Sequence, residues 1–136
     1  MDQAGINTET IVKGSVSGPN LAIFAAVHGN ETVGVEAFKE ILPELNIESG
    51  LVNLVIANPL ALQQGVRQVN ENMNRIFGEG VSSDIPELKR VEELKKILDS
   101  SDALLDLHGF NDREGEPFLI CESSAYDLAK ELPFSI

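Results

Sequence analysis

Residues 21–27 read Leu-Ala-Ile-Phe-Ala-Ala-Val, and His28-Gly-Asn-Glu31 follows at once. An apolar run without polar alternation is typical of a central strand that is covered by protein on both faces. Similar runs occur at residues 51–57 and 103–107, and the segments between them contain the apolar spacing and capping residues of helices. Strands that alternate with helices predict an α/β domain, a three-layer sandwich with a mostly parallel, mixed sheet in its middle.

Shorter signals predict the remaining elements. Residues 84–87, Asp-Ile-Pro-Glu, predict a helix start with a capping box and a proline in the first turn. Residues 59–77 have no clean period and are expected to cross the surface. Strands are also predicted over 8–16 and 117–121, a turn over 17–20 and a helix over 124–132. A further helix is predicted over 32–45, with a buried stripe of Val33, Ala37, Ile41 and Leu45. The helix that starts at 84–87 has a predicted core face of Ile85, Leu88, Val91, Leu94 and Leu98.

The composition limits the class of protein. The chain has 136 residues, which fits a single domain over 1–136, and 43% hydrophobic with 24% charged residues are values of a globular protein. A formal net charge of −12 would repel nucleic acid and anionic membranes, so neither is expected as a partner. The single Cys121 is interpreted as a small buried hydrophobe. Residues 1–5 lack the features of a leader and no apolar run could span a bilayer, so a cytoplasmic location is expected.

The two histidines of the chain, His28 and His108, both stand directly after an apolar strand. In open α/β sheets, ligands bind beyond the carboxyl ends of the strands. His28 and Glu31 are three residues apart at such an end, so both side chains can turn to one point. Two histidines and one glutamate form a recognised catalytic zinc set that leaves a fourth position for water. We therefore interpret these three residues as candidate zinc ligands.

Two other interpretations of the same residues remain open. Histidines at such positions also occur as core residues whose rings are hydrogen-bonded to backbone carbonyls. The second alternative is a phosphate loop over residues 29–34 at a helix start. That loop contains no lysine and its Glu31 would repel phosphate, so the sequence disfavours it.

Asn74 and Arg75 are adjacent, and Arg67 precedes them in the same segment. An amide beside a guanidinium is a natural clamp for a carboxylate. With 10 Lys and Arg residues against 22 Asp and Glu residues, a placed arginine is more informative here than in an average chain. Solvated surface arginines are the alternative interpretation.

Four motifs follow one another in the chain: His28-Gly-Asn-Glu31, Asn58-Pro59, Arg67 with Asn74-Arg75-Ile-Phe77, and Asp106-Leu-His108. In this order they resemble the succinylglutamate desuccinylase/aspartoacylase family, which has a zinc carboxypeptidase-like fold. The resemblance covers residues 21–110. Each motif alone is modest, but the ordered set of four is specific.

The resemblance implies a role for each motif. One Zn²⁺ per chain would be bound by His28, Glu31 and His108. Arg67 would polarise the scissile carbonyl and stabilise the oxyanion, while Asn74 and Arg75 would bind a substrate carboxylate. Attack on an amide builds negative charge on oxygen, which a nearby cation stabilises, so these residue types suit that chemistry.

The implied activity is zinc-dependent hydrolysis of the amide bond in an N-acyl amino acid or a related small carboxylate. Such a deacylase or desuccinylase cleaves a carbon–nitrogen bond that is not a peptide bond. Two alternatives use the same residues. One is a metallocarboxypeptidase that acts on peptides. The other is a truncated or degenerate module that binds zinc or a carboxylate without turnover.

Departures from the family's pattern bear on this expectation. Asn72 stands where the family usually has an aspartate that braces a zinc-ligating histidine, and Gly109 replaces a small polar residue. The family's general-base glutamate lies many tens of residues beyond the third ligand. The chain is therefore expected to correspond to the N-terminal two-thirds of the fold, and to lack that glutamate.

Two acidic residues near the C-terminus are further candidates. Glu122 is a candidate substitute base, and Asp106 is a candidate hydrogen-bond partner of His108. A sheet that ends with the strand over 117–121 would expose an edge, so homo-oligomerisation through that edge is also expected.

Overall fold

The structure is a computed structural model that describes residues 7–78, 84–110 and 115–136. Four strands form one sheet in the order β1-β3-β2-β4. They are β1 (Glu9–Lys13), β2 (Val16–Ala25), β3 (Ser49–Ile56) and β4 (Ala103–Leu107). β2 runs parallel to both β3 and β4, whereas β1 is antiparallel to β3. The predicted mixed, mostly parallel sheet is confirmed.

The described residues also form four helices. They are α1 (Val33–Ile41), α2 (Pro59–Gln64), α3 (Pro86–Asp99) and α4 (Tyr126–Ala129), with two short 3₁₀ turns at Met73–Arg75 and Ser123–Ala125. Successive side chains of a strand point to opposite faces. Accordingly Phe24 packs in one cluster with Val91 and Leu94 of α3, whereas Ala25 packs in a second cluster with Val35 and Phe38 of α1. These two cores produce the predicted three layers.

α1 is shorter than the predicted helix and buries a different face. Val35 and Phe38 are buried, whereas Val33 and Ile41 of the predicted apolar stripe are exposed, so the prediction is wrong for these two residues. Leu45 of the same stripe does pack against the core, beyond the end of the helix. A Cβ atom at Gly34 would lie 2.8 Å from a side chain of the sheet. The helix approaches the sheet through this glycine, and the approach decides which face is buried.

The predicted turn over 17–20 is wrong because these residues lie inside β2. The pairing of β2 with β3 shifts register between Val16 and Asn20. Pro19 has no backbone N–H and Gly18 has no side chain to pack, so both residues suit an irregular stretch of a strand as well as a turn. The first predicted strand correspondingly ends at Lys13.

α3 begins at Pro86, and its N-terminus has no side-chain capping bond. The predicted capping box is wrong because Glu87 accepts hydrogen bonds from the backbone N–H groups of Val69 and Asn70 instead. The predicted core face of this helix is confirmed, with the following residues in or against the core: Ile85, Leu88, Val91, Leu94 and Leu98.

The predicted strand over 117–121 is also wrong. An isolated bridge between Phe118 and Ser135 forms there, and β4 is an edge of the sheet among the described strands. The helix predicted over 124–132 is divided between a 3₁₀ turn and α4. The apolar residues near the C-terminus therefore do not extend the sheet within the described ranges.

Expectations drawn from composition have mixed outcomes. Cys121 is half-buried rather than fully buried. No helix within residues 7–78, 84–110 and 115–136 combines the length and apolarity needed to cross a bilayer. Residues 1–5, which contribute to the expected location, lie outside the described residues.

The three parallel strands end at the same edge of the sheet. Ala25 pairs with Ile56 on one side and with Leu107 on the other. The segments that follow these strands therefore emerge side by side and carry His28 and His108. This edge is where the sequence predicts the ligands to meet.

Candidate metal centre

The three predicted zinc ligands converge at this edge. His28 follows β2, Glu31 lies just before α1, and His108 follows β4 directly. The Nδ1 atom of His28 is 2.9 Å from Oε1 of Glu31, and the Nδ1 atom of His108 is 2.9 Å from Oε2 of the same carboxylate. One potential ligand atom from each residue lies within 4.8 Å of the others. The fold thus assembles the predicted set around Glu31.

Asn72 determines which nitrogen of His28 carries the hydrogen. Its Oδ1 atom is 3.2 Å from Nε2 of His28 and also accepts the backbone N–H of Asn74 at 3.0 Å. A backbone N–H can only donate, so the Asn72 atom at this position is its oxygen, which in turn requires a hydrogen on Nε2 of His28. A neutral His28 ring therefore presents the lone pair of Nδ1 to Glu31.

Asp106 has the corresponding effect on His108. Its Oδ2 atom is 2.9 Å from Nε2 of His108. An ionised carboxylate can only accept, so Nε2 of His108 donates and its Nδ1 atom faces Glu31. The expected contact between Asp106 and His108 is present.

Both histidines therefore direct the same ring nitrogen at the oxygens of Glu31. At 2.9 Å, a nitrogen lone pair and a carboxylate oxygen repel each other unless a proton or a metal cation lies between them. Two imidazole nitrogens and one carboxylate are zinc donors, and tetrahedral zinc spaces its ligand atoms by about 3.3 Å. The distances from the two Nδ1 atoms to the Glu31 carboxylate are close to this spacing, so the residues present fit a zinc ion.

The electrostatics of the cluster also favour a cation. Burial acts to raise the pKa of Glu31, but hydrogen bonds from the backbone N–H of Gly109 and from His108 outweigh it, and the pKa lies below its ordinary value. The hydrogen bond to Asp106 raises the pKa of His108 to about 9, although burial opposes that change. The backbone of Gly109 thus contributes directly to the site, whatever side chain the family usually has there.

Exposure differs across the cluster. The side chain of His28 is 5% exposed, that of Glu31 is 14% exposed and that of His108 is 36% exposed. The cluster is closed on the side of the central strand and open on the side of the edge strand. An open side is what a catalytic zinc site needs for water and substrate.

Arg67 lies at the rim of this cluster. Its Nη1 atom donates to Oε1 of Glu31 at 3.0 Å, and its side chain is 52% exposed. The carbonyl of Arg67 accepts the backbone N–H of Gly29 at 3.1 Å. A Cβ atom at Gly29 would lie 2.1 Å from the backbone of Ala61, so the lack of a side chain lets α2 approach the His28 loop.

Asn74 and Arg75 lie on the 3₁₀ turn that Asn72 caps. Both are exposed, and the hydrogen bond described for the Arg75 guanidinium goes to the carbonyl of Asn74 at 3.3 Å. The contact between Asn72 and His28 holds this 3₁₀ turn next to the ligand cluster. It does not bring the Arg75 guanidinium into the ligand cluster.

The position of Glu122 gives no support for a role as base. The residue is exposed and precedes the 3₁₀ turn Ser123–Ala125. Within the described ranges, no hydrogen bond or ion pair connects its carboxylate to the cluster.

Two buried polar residues near the site were not foreseen in these roles from the sequence. Asn58, 3% exposed, uses Oδ1 to accept the backbone N–H of Ala61 at the start of α2. Glu87, 1% exposed, binds the backbone between Arg67 and Asn72. The pair Asn58-Pro59, which caps and begins α2, is a usable sequence signal for the role of Asn58. The contact of Glu87 joins segments 17 or 18 residues apart and leaves no local pattern.

Comparison with known proteins agrees with the predicted resemblance. The N-acyl-aromatic-L-amino acid amidohydrolase (carboxylate-forming) of Xenopus tropicalis is 30% identical over 132 residues, covering 88% of this chain and 42% of that protein. The succinylglutamate desuccinylase of Shewanella pealeana is 33% identical over 90 residues, covering 59% of this chain and 26% of that protein. The chain therefore spans less than half the length of these relatives.

Solved structures confirm the predicted zinc carboxypeptidase-like fold. The succinylglutamate desuccinylase of Chromobacterium violaceum superposes with a TM-score of 0.67 at 27% identity, over 82% of this chain and 41% of that one. The sequence profile of the succinylglutamate desuccinylase/aspartoacylase catalytic domain matches residues 17–128. Because this match extends over most of the chain, from β2 to α4, the chain belongs to the succinylglutamate desuccinylase/aspartoacylase family.

Proposed function

We propose that the chain is the zinc-binding region of a hydrolase that cleaves the amide bond of N-acyl amino acids or related small carboxylates. A succinylglutamate desuccinylase and an N-acyl-aromatic-L-amino acid amidohydrolase among its relatives support this substrate class. The observation that carries the proposal is the convergence of His28, Glu31 and His108, with Arg67 on the same carboxylate. The chain spans 26% and 42% of those relatives, so the proposal concerns the part of the site that it contains.

Zinc is the proposed metal, with one ion per chain. His28 and His108 would each bind it through Nδ1, because Asn72 and Asp106 occupy the other ring nitrogen. Glu31 would provide the third ligand. A zinc ion bound there supplies Lewis acidity, which lowers the pKa of water to about 7 and polarises a carbonyl.

Arg67 is the proposed stabiliser of the oxyanion. Its guanidinium lies 3.0 Å from Glu31 and is half-exposed, so it stands beside the ligands and can turn toward a bound substrate. Removing one such donor from an active site typically lowers the rate by about 10²–10³-fold.

Asn74 and Arg75 are the proposed carboxylate clamp. A guanidinium fork binds a carboxylate through two hydrogen bonds, and the adjacent amide adds a donor. Because one oxygen of Asn72 accepts both from His28 and from the backbone of Asn74, the turn that carries the clamp is tied to the metal centre.

Among the described residues, we assign no side chain beside the cluster as the general base that accepts the proton in the reaction. A positioned general base typically contributes about 10²–10⁴-fold to the rate. We therefore propose that the chain on its own binds zinc and a small carboxylate but hydrolyses N-acyl amino acids poorly. A longer chain that adds the base would restore activity.

Metal analysis with a substrate panel tests the proposal. Protein purified without chelator should contain one zinc per chain, and it should act weakly on N-acetyl-aspartate or N-succinyl-glutamate. Preference for small peptides would favour a metallocarboxypeptidase, and absence of zinc would refute the metal assignment. Fast turnover that is lost in Glu122→Gln would show that the short chain contains its own base.

Calorimetry tests the clamp separately. Arg75→Lys should weaken the binding of a small dicarboxylate by about 1.5–3 kcal/mol, because the lysine keeps the charge but loses the fork. Lys89→Arg, at an exposed position of α3, is the control. Equal affinities of wild type and Arg75→Lys would contradict the assignment.

Self-association through β4 is also proposed, because that strand is an edge among the described strands. An edge presents unpaired N–H and C=O groups to another chain. The net charge of −12 opposes association, so salt should strengthen it. A monomer that persists at high protein concentration and high salt in sedimentation experiments would contradict this proposal.

A further inference from the structure

We propose that Glu87 is a positioning residue for the carboxylate clamp, and that it holds the segment between Arg67 and Arg75 against α3. The inference rests on the proposed function, because the clamp belongs to that proposal. Glu87 itself lies on α3 and is not one of the candidate metal ligands.

The first observation is the environment of the Glu87 carboxylate. The residue is 1% exposed, and it is the only buried Asp or Glu in the described ranges. Its Oε1 atom accepts the backbone N–H groups of Val69 at 2.7 Å and Asn70 at 2.8 Å. Burying a carboxylate is costly unless strong hydrogen bonds compensate, so this position is specifically adapted to bind that backbone.

The second observation is how the segment from residue 67 to residue 75 is held. At its start the carbonyl of Arg67 accepts from Gly29, and near its end Asn72 contacts His28. Both of these contacts tie the segment to the loop after β2. Glu87 provides the contact in the middle, and this contact comes from a different element, α3.

The third observation is that α3 itself is fixed to the sheet. One turn after Glu87, Arg90 donates from Nε to the carbonyl of Ala57 at 3.1 Å and from Nη2 to the carbonyl of Ile56 at 3.0 Å. Val91 of the same helix is fully buried. Glu87 therefore connects the clamp segment to a rigid part of the molecule, the end of β3.

A selective effect follows from this arrangement. The metal ligands His28, Glu31 and His108 lie on segments that Glu87 does not contact. Loss of the Glu87 carboxylate should therefore disturb binding of a substrate carboxylate much more than binding of zinc. A residue with a merely structural role would impair both.

The experiment compares three variants of the full chain: Glu87→Ala, Glu87→Gln and the control Glu92→Gln at an exposed position of α3. Amide hydrogen exchange at Val69 and Asn70, calorimetry with succinate on zinc-loaded protein, and zinc affinity are measured. In Glu87→Ala, exchange at the two amides should rise by about tenfold or more and succinate affinity should fall by about tenfold, the usual effect of losing a hydrogen bond to a charged group. Zinc affinity should change by less than about threefold, and Glu92→Gln should match wild type.

Glu87→Gln keeps the acceptor oxygen and should recover most of the succinate affinity, which guards against a Glu87→Ala chain that does not fold. Unchanged exchange at Val69 and Asn70 in both variants would overturn the inference. Parallel losses of zinc and succinate affinity would also overturn it, since they indicate general destabilisation. If zinc-loaded wild type does not bind succinate at all, the carboxylate clamp of the proposed function is wrong. The positioning role of Glu87 then fails as well, even if hydrogen exchange shows that Glu87 holds the segment.

Discussion

His28 and His108 direct the same ring nitrogen at the same carboxylate, but they do so from two different regions. His28 follows the central strand β2, is 4% exposed and has a neutral amide, Asn72, on its other nitrogen. His108 follows the edge strand β4, has a side chain that is 36% exposed and has a carboxylate, Asp106, in the equivalent position.

The difference separates two requirements of a metal centre. The central strand supplies fixed geometry, because its residues are packed on both faces. The edge strand supplies negative charge beside the ligand and access from solvent. Carboxylate partners of a ligating histidine increase its basicity, which a neutral amide does much less. The following predictions test whether this division holds.

The largest difference should appear in stability. Phe24 of β2 is 1% exposed, whereas Leu104 of β4 is 46% exposed. Phe24→Ala should lower the free energy of unfolding by about 3–5 kcal/mol, since it leaves a cavity in the core. Leu104→Ala should change it by about 0.5 kcal/mol or less. Urea unfolding of the two variants measures both, and similar losses would mean that β4 is as well packed as β2.

Replacement of either histidine by alanine should abolish the binding of one zinc ion per chain. Loss of a ligand should reduce zinc affinity by more than about 100-fold, the upper range for losing a supporting hydrogen bond. The two variants should differ in the metal-free state. His28→Ala should lower the unfolding midpoint more than His108→Ala, because only His28 is buried. Unchanged zinc content in either variant would contradict the ligand assignment.

Asp106→Asn should weaken zinc binding by about 10-fold to 100-fold. The substitution keeps the hydrogen-bond acceptor for Nε2 of His108 but removes the charge. A competition assay with a chromophoric chelator measures the affinity, and Asp102→Asn, directly before the same strand, is a matched control. Equal effects of the two substitutions would show that only net charge matters.

Asn72→Asp should have the opposite and smaller effect. A carboxylate there would give His28 the kind of partner that His108 already has, and zinc affinity should rise by up to about tenfold. The backbone N–H of Asn74 can still donate to the new side chain, so the clamp should be retained. A decrease in affinity would indicate that the amide is required at this position.

The smallest effect concerns pH in chelator-treated protein. The contact with Asp106 raises the pKa of His108 from 6.5 to about 9. A raised pKa means that the folded state binds this proton more tightly than the unfolded state does. The stabilisation is therefore complete below about pH 6.5 and is lost as the pH rises through about 9. Unfolding midpoints should show this loss in wild type and not in His108→Gln, and identical pH profiles would exclude it.

The parts of the molecule that the sequence predicts well are those encoded by local pattern. Continuous apolar runs mark β2, β3 and β4, and the residues that follow parallel strands must meet at one edge. The convergence of His28, Glu31 and His108 could therefore be anticipated without coordinates. The tautomer of His28 could not, because it depends on Asn72 and on the backbone of Asn74.

The errors have physical causes as well. Gly18 and Pro19 resemble a turn because the residues that suit a turn also suit an irregular strand. The face that α1 buries depends on a close approach at Gly34. The apolar residues 117–121 have strand character, but a strand forms only where a neighbouring strand is available to pair with it.

The order of the strands has a consequence for how the molecule folds. Glu31 and His108, which meet in the metal centre, are 77 residues apart in the chain, and β4 pairs with β2 although β3 lies between them in sequence. Contacts of such long range form late, because a large loop must be closed first. A metal ion held by both residues would close that loop, so the site would also restrain the unfolded chain and favour the final docking of β4.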